Sequence, residues 1–249
     1  MAASDIDIVL ERLGVVVAEA KRNGDRAGYF AAMYHKVTLA IREAVIAGRF
    51  EDGERLARLD RVFAERYLDA YDQWRSTDEP TAAWNQTFAA TRRWRPLIIQ
   101  HLLVGMNAHI NLDLGIAAAS VAPGSDLPGL RNDFDTINRV LAELVDGFMD
   151  DVDEVSPWIG FLDRIGGRTD QAVVRFSIEI ARRQAWAMAE ELAAAPSDQW
   201  ASIIESRDRA TAGFARPILH PGPQLSGGLL LIRFRESNDV PNVIDVLGD

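Results

Sequence analysis

PLIIQHLLVGMNAHINLDLGIAAAS, residues 96–120, decides the fold of this chain. No Lys, Arg or Glu interrupts it, and Asp113 is its only formal charge. Its length and its lack of strand punctuation predict a helix. Pro96 suits a first helical turn, where a missing N–H costs nothing. A helix apolar on nearly every side belongs in the middle of a bundle or in a membrane. The scattered Gln100, His101, Asn107, His109 and Asn111 argue against hydrocarbon, where polar groups are expensive. The stretch therefore reads as the buried central helix of an all-α, single-domain bundle of eight or nine helices.

At about 100° per residue, His101, Gly105, His109 and Asp113 follow one i, i+4 row. Asn107 and Asn111 form a second pair on roughly the opposite side. Buried polar groups must be hydrogen-bonded or they cost about 1–3 kcal/mol each, so this helix needs polar partners on both sides. Gly105, between the two histidines, leaves space for a ligand or for a close helix. Two His and one Asp on one buried row mark His109, Asp113 and His101 as the candidate catalytic residues. A satisfied structural network is the competing reading.

Outward from that helix, the apolar period predicts helices over 5–23, 25–47, 52–74 and 81–94 before it. Helices over 131–155, 157–165, 169–194 and 197–214 follow it. Tyr34 lies on the inner stripe of the second helix and His35 beside it. Leu56, Leu59, Val62, Phe63, Arg66, Tyr67 and Ala70 of the third fall at helical spacing. Arg182 sits mid-helix near Trp186, placed to reach Asp113 or a substrate. Tyr34, His35, Asn107, Asn111, Arg182 and Trp186 are thus the candidate substrate-binding set. Trp84, Phe88, Trp94, Trp158 and Trp186 are candidate walls of an apolar pocket. From Pro217 onward the composition changes, and LLLIRFRE (229–236) alternates like a strand. The expected division is a helical domain, 1–216, and a C-terminal extended or β-hairpin arm, 217–249, packing on it.

The chain has 249 residues and a net charge of −10, which disfavours nucleic acid as a partner. The absence of cysteine rules out disulfides, thiolate catalysis and Cys-ligated metal. The N-terminus does not read as a signal peptide. A cytoplasmic protein with no membrane partner is expected, acting on a small molecule and allowed to form a homodimer. No phosphate loop, dinucleotide fingerprint, HExxH helix or di-iron Glu-x-x-His pair occurs. Asp150-Asp151-Val152-Asp153-Glu154 resembles the acidic magnesium motif of terpene synthases, but the companion motif is missing, with Val140 standing where its acid belongs. His109-x-x-x-Asp113 has spacing for two metal ligands. His101 is two turns away, about 12 Å, so zinc would need a ligand from elsewhere, such as His35 or His220.

HLLVGMNAHINLDLGIA, with YHKVT upstream and ARRQAWAMAEEL downstream, resembles a family of all-helical bacterial proteins of unknown function. That resemblance implies the fold and no activity. In size, helicity and lack of cysteine the chain also resembles the spiroacetal-forming cyclases of polyketide pathways. That likeness implies a buried acid–base pair, an apolar cavity and no cofactor. The leading expectation is a cofactor-independent enzyme using His109 with Asp113 for cyclisation or dehydration of an apolar, oxygen-bearing molecule. A metal-dependent hydrolase and a non-catalytic helical scaffold are the alternatives.

Overall fold

The computed structural model describes residues 2–156 and 178–249. Among them there are eleven α-helices and no strand. The long helices α1 (Ala2–Asn23), α2 (Ala27–Ile46) and α3 (Gly53–Arg75) come first. The short α4 (Ala82–Thr91) leads to α5 (Ile98–Ala108). A π turn, His109–Asp113, joins α5 to α6 (Leu114–Val121). Then come α7 (Leu127–Val155), α8 (Ile178–Ala194) and α9 (Trp200–Leu219). The chain closes with α10 (Pro223–Arg233) and α11 (Val240–Gly248). The helices expected over 157–165 and over the start of 169–194 lie outside the described residues.

Residues 98–121 form the one helix among the described residues apolar and long enough to cross a membrane, and 89% of its apolar window is buried inside the bundle. It shares the centre with α2, whose first turns are buried on every side from Ala27 to Tyr34. Small residues allow the close approach. A Cβ on Gly105 would collide with the Phe30 ring, and one on Gly28 with the Ile244 side chain. Phe30 therefore occupies the space that Gly105 leaves between the two histidines, where a ligand was one of two expectations. Gly115 plays the same part for α8, since its Cβ would meet the Ala185 carbonyl at 2.7 Å.

Gly105→Ala is accordingly expected to destabilise the protein by about 1–3 kcal/mol through overpacking, although Ala is the better helix former. Urea unfolding checks this, and Phe30→Leu in the same chain should restore part of the loss.

The tail corrects the sequence reading. It is neither an extended arm nor a hairpin: α9 runs through Pro217 to Leu219, and α10 and α11 follow. In α11, Val240, Val243, Ile244 and Leu247 are buried at helical spacing, and the Asp239 side chain caps the start by accepting from Asn242 N. These two helices, and the division of the central helix by its π turn, raise the helix number above the expected eight or nine.

Candidate active site

The π turn holds the pair that the sequence singled out. A π turn inserts one residue into the winding, so the buried faces of α5 and α6 are offset by about 100°, one residue's rotation. α5 turns toward α9: Asn107 Nδ2 donates to the Thr211 carbonyl at 2.9 Å, and Asn111 Nδ2 donates to Asn107 Oδ1 at 3.0 Å. α6 turns toward α8 through Gly115. Between them, His109 Nδ1 lies 3.4 Å from Asp113 Oδ2, with both side chains buried.

Asp113 has two further donors. Arg66 Nε reaches Oδ1 at 2.9 Å, and Trp84 Nε1 reaches Oδ2 at 2.8 Å. Arg66 spans from the surface to the pair, its side chain about a quarter exposed (28%) while that of Asp113 is 1% exposed. The His109 ring stacks on Phe63, centroids 3.5 Å apart and planes 9° apart. Tyr34 meets it edge-on at 4.4 Å, and Phe30, Tyr67 and Trp84 complete the aromatic box. With Nδ1 directed at the carboxylate, the lone pair falls on Nε2. Nε2 is buried and has no hydrogen-bond partner. Burial lowers the His109 pKa below its ordinary value, and the Asp113 neighbour opposes that without reversing it. The resting imidazole is therefore neutral, a base rather than an acid.

A sequence profile describing a family of unknown function, DUF5995, matches residues 6–221. The chain belongs to the DUF5995 family. No curated protein and no solved structure matches it. The DUF5995 match ends before α10 and α11, so the box around His109 lies wholly within the family region.

The remaining expected site residues of this DUF5995 chain are dispersed. His101 is buried two turns before His109, against Tyr29, with neither ring nitrogen hydrogen-bonded. It borders a void of about 10 Å3, also lined by Arg26, Phe30, Tyr67, Trp84 and Thr87, a volume that suits one water. Burial, reinforced by Arg26 and Arg233, lowers the His101 pKa to about 3. Phe30 separates it from His109, so the two histidines do not share a chamber. His35 is half-buried, which lowers its pKa, and it joins neither histidine. His220 is exposed beside Arg93, 3.4 Å away. Among the described residues no group of three or more His, Cys, Asp or Glu side chains is gathered for a metal ion.

Arg182 does not reach Asp113. It donates from Nη2 to the Phe134 carbonyl at 2.6 Å and lies over the Phe134 ring, and burial lowers its pKa to about 9. Trp186 packs on the same Phe134 and donates to Glu190. Both belong to the seam between α7 and α8. Asn107 and Asn111 tie α5 to α9, and Asn111 Oδ1 remains without a partner. Of the acidic run at 150–154, Asp151 pairs with Lys36 at 2.7 Å. Of the expected walls, Trp84 is a donor to Asp113 and Trp94 is surface, while Trp158 lies outside the described residues.

Sequence reasoning passed over Arg66 and Phe63. The signal was present: an arginine in an otherwise apolar helical stripe needs a buried anion, and Asp113 is the one charge on the central helix. Asp60, one helical turn before Phe63, was also missed. It is buried, its Oδ2 has no partner, and burial raises its pKa to about 7. The Asp60 and Asp113 carboxylates add to burial in pushing the Tyr34 hydroxyl well above its ordinary pKa, so Tyr34 stays protonated beside His109.

Proposed function

We propose that His109 and Asp113 form an acid–base unit and that the protein is a cofactor-independent enzyme acting on an apolar, oxygen-bearing small molecule. The observation that carries this is His109 Nε2: buried, unpartnered, on a ring whose other nitrogen faces a carboxylate fixed by Arg66 and Trp84. Such a ring removes a proton from a hydroxyl through Nε2, and Asp113 stabilises the imidazolium that results. The imidazolium then returns the proton to a departing hydroxyl, which leaves as water. In spiroacetal formation one hydroxyl of a dihydroxyketone first adds across the carbonyl, its proton passing to the carbonyl oxygen. The hydroxyl so formed then leaves as water with the proton that Nε2 took from the second hydroxyl. The oxygen of that second hydroxyl bonds to the same carbon, in a pose that holds the two oxygens there.

Entry is proposed from the α3 side. Phe63, which stacks on His109, and Arg66, which pairs with Asp113, are both only partly buried. Displacing the half-buried Phe63 side chain opens the α3 side of the imidazole, from which a hydroxyl has to reach Nε2 in the plane of the ring, where its lone pair lies.

The test is turnover of dihydroxyketones by His109→Ala and Asp113→Asn proteins shown to be folded. Each is expected to lose about 10²–10⁴-fold in rate. Full activity in both ends the proposal. In the active protein, rate should fall with decreasing pH as the neutral imidazole is protonated, with a midpoint below that of an ordinary histidine.

A structural network is the second reading. It is favoured by the saturation of Asp113, both of whose oxygens already accept hydrogen bonds. It predicts that the same variants lose stability and that no dihydroxyketone is consumed by the parent protein.

A further inference from the structure

Two stretches far apart in sequence share one pattern. Arg93-Trp94-Arg95 lies between α4 and α5, and Arg233-Phe234-Arg235 ends α10. The fold brings the two aromatics together, ring centroids 5.2 Å apart. Both are exposed, Trp94 by 40% and Phe234 by 64%, and Leu231 (61%) and Leu230 (37%) extend the apolar surface along α10. Arg93, Arg95 and Arg235, the sequence neighbours of the two aromatics, are exposed, in a chain whose net charge is −10.

The patch is firmly built. Arg233 is buried, donates from Nε to the Trp94 carbonyl at 2.7 Å, and lies over the Trp94 ring. Glu236, also buried, accepts from Ile98 N at the start of α5 and from the Ser156 hydroxyl at 2.6 Å. Glu236 and Arg233 are thus turned inward, while Arg93, Arg95 and Arg235 are exposed.

We propose that this surface docks the protein on an anionic lipid bilayer. Aromatic and leucine side chains with exposed arginines as sequence neighbours match the boundary between acyl chains and charged headgroups. The local positive charge selects an anionic membrane, and the acidic remainder of the molecule, repelled by it, leaves this face as the one that approaches. A single-stranded nucleic acid would use the aromatics and arginines but gives Leu230 and Leu231 nothing to do. An acidic protein segment would have no need of so much exposed hydrocarbon.

The full-length protein should co-sediment with phosphatidylcholine vesicles that contain phosphatidylglycerol and not with pure phosphatidylcholine, and added salt should weaken the association. Arg93→Gln with Arg95→Gln is expected to lower the partition coefficient about 30-fold, at the usual contribution of each basic residue near such a surface. Leu231→Ser with Phe234→Ser, at exposed positions, should lower it about tenfold or more, with an unchanged circular dichroism spectrum. Failure of the parent protein to bind the anionic vesicles overturns the proposal. So does a serine double variant that binds as well as the parent, which would reduce the association to diffuse charge. Retention of single-stranded RNA or of an acidic peptide in place of vesicles also overturns it.

Discussion

Asp113→Ala is expected to lower the free energy of unfolding by about 3–5 kcal/mol, the usual consequence of removing one member of a buried ion pair. The carboxylate is 1% exposed and receives Arg66 and Trp84 as donors, with His109 alongside. Truncation leaves the buried indole N–H without an acceptor and the part-exposed guanidinium without its carboxylate, and a buried unpaired group carries a desolvation penalty. Asp113→Asn keeps an acceptor for Trp84 and removes the charge that faces Arg66, so an intermediate loss is expected. Urea unfolding measures both, with the slope unchanged if only stability moves. A loss below about 1 kcal/mol for the alanine variant would be what a solvated surface pair gives, and would mean that Arg66 and Trp84 find other partners.

Asp60→Asn is expected to act in the opposite direction, and only above a certain pH. A carboxyl raised from 3.8 to about 7 by burial holds its proton in the folded chain after the unfolded chain has released it. Folding then takes up a proton between these two values, so stability falls as pH rises through the window and levels off above about 7. At pH 8 the penalty is on the order of 4 kcal/mol. The amide, close in shape and uncharged, removes that penalty. Thermal melts at pH 8 should show Asp60→Asn more stable than the parent, and the gap should close as pH approaches 4. A gap independent of pH would show that Asp60 is ionised in the folded protein and has a charged partner.

The central helix was legible because an apolar run of that length, without punctuation, has few places to go in a helical protein. The i, i+4 row was legible in part. His109 and Asp113 do meet, but His101 does not join them, because the Phe30 ring seats itself on Gly105 and a helix diagram contains no neighbours. The partners of Asp113 come from α3 and α4, 47 and 29 residues away in sequence, and no local period encodes such a choice. Arg182 failed for the same reason: its partners are the carbonyl and ring of Phe134, on α7. The tail was misread for a local reason. LLLIRFRE alternates late in the run, yet Val240, Val243, Ile244 and Leu247 keep a helical period behind the Asp239 cap, and that period should have prevailed over the proline and glycine around it.

The π turn also determines what fixes the distance between imidazole and carboxylate. His109 opens the turn where α5 ends, and Asp113 closes it where α6 begins. The first half is moored through Asn107 to the Thr211 carbonyl, and the second through Gly115 to the backbone of α8. The 3.4 Å gap between them is thus a vernier reading of two outer helices, and a bulkier side chain at the buried Thr211 or Ala185, by pushing its helix back, would alter it.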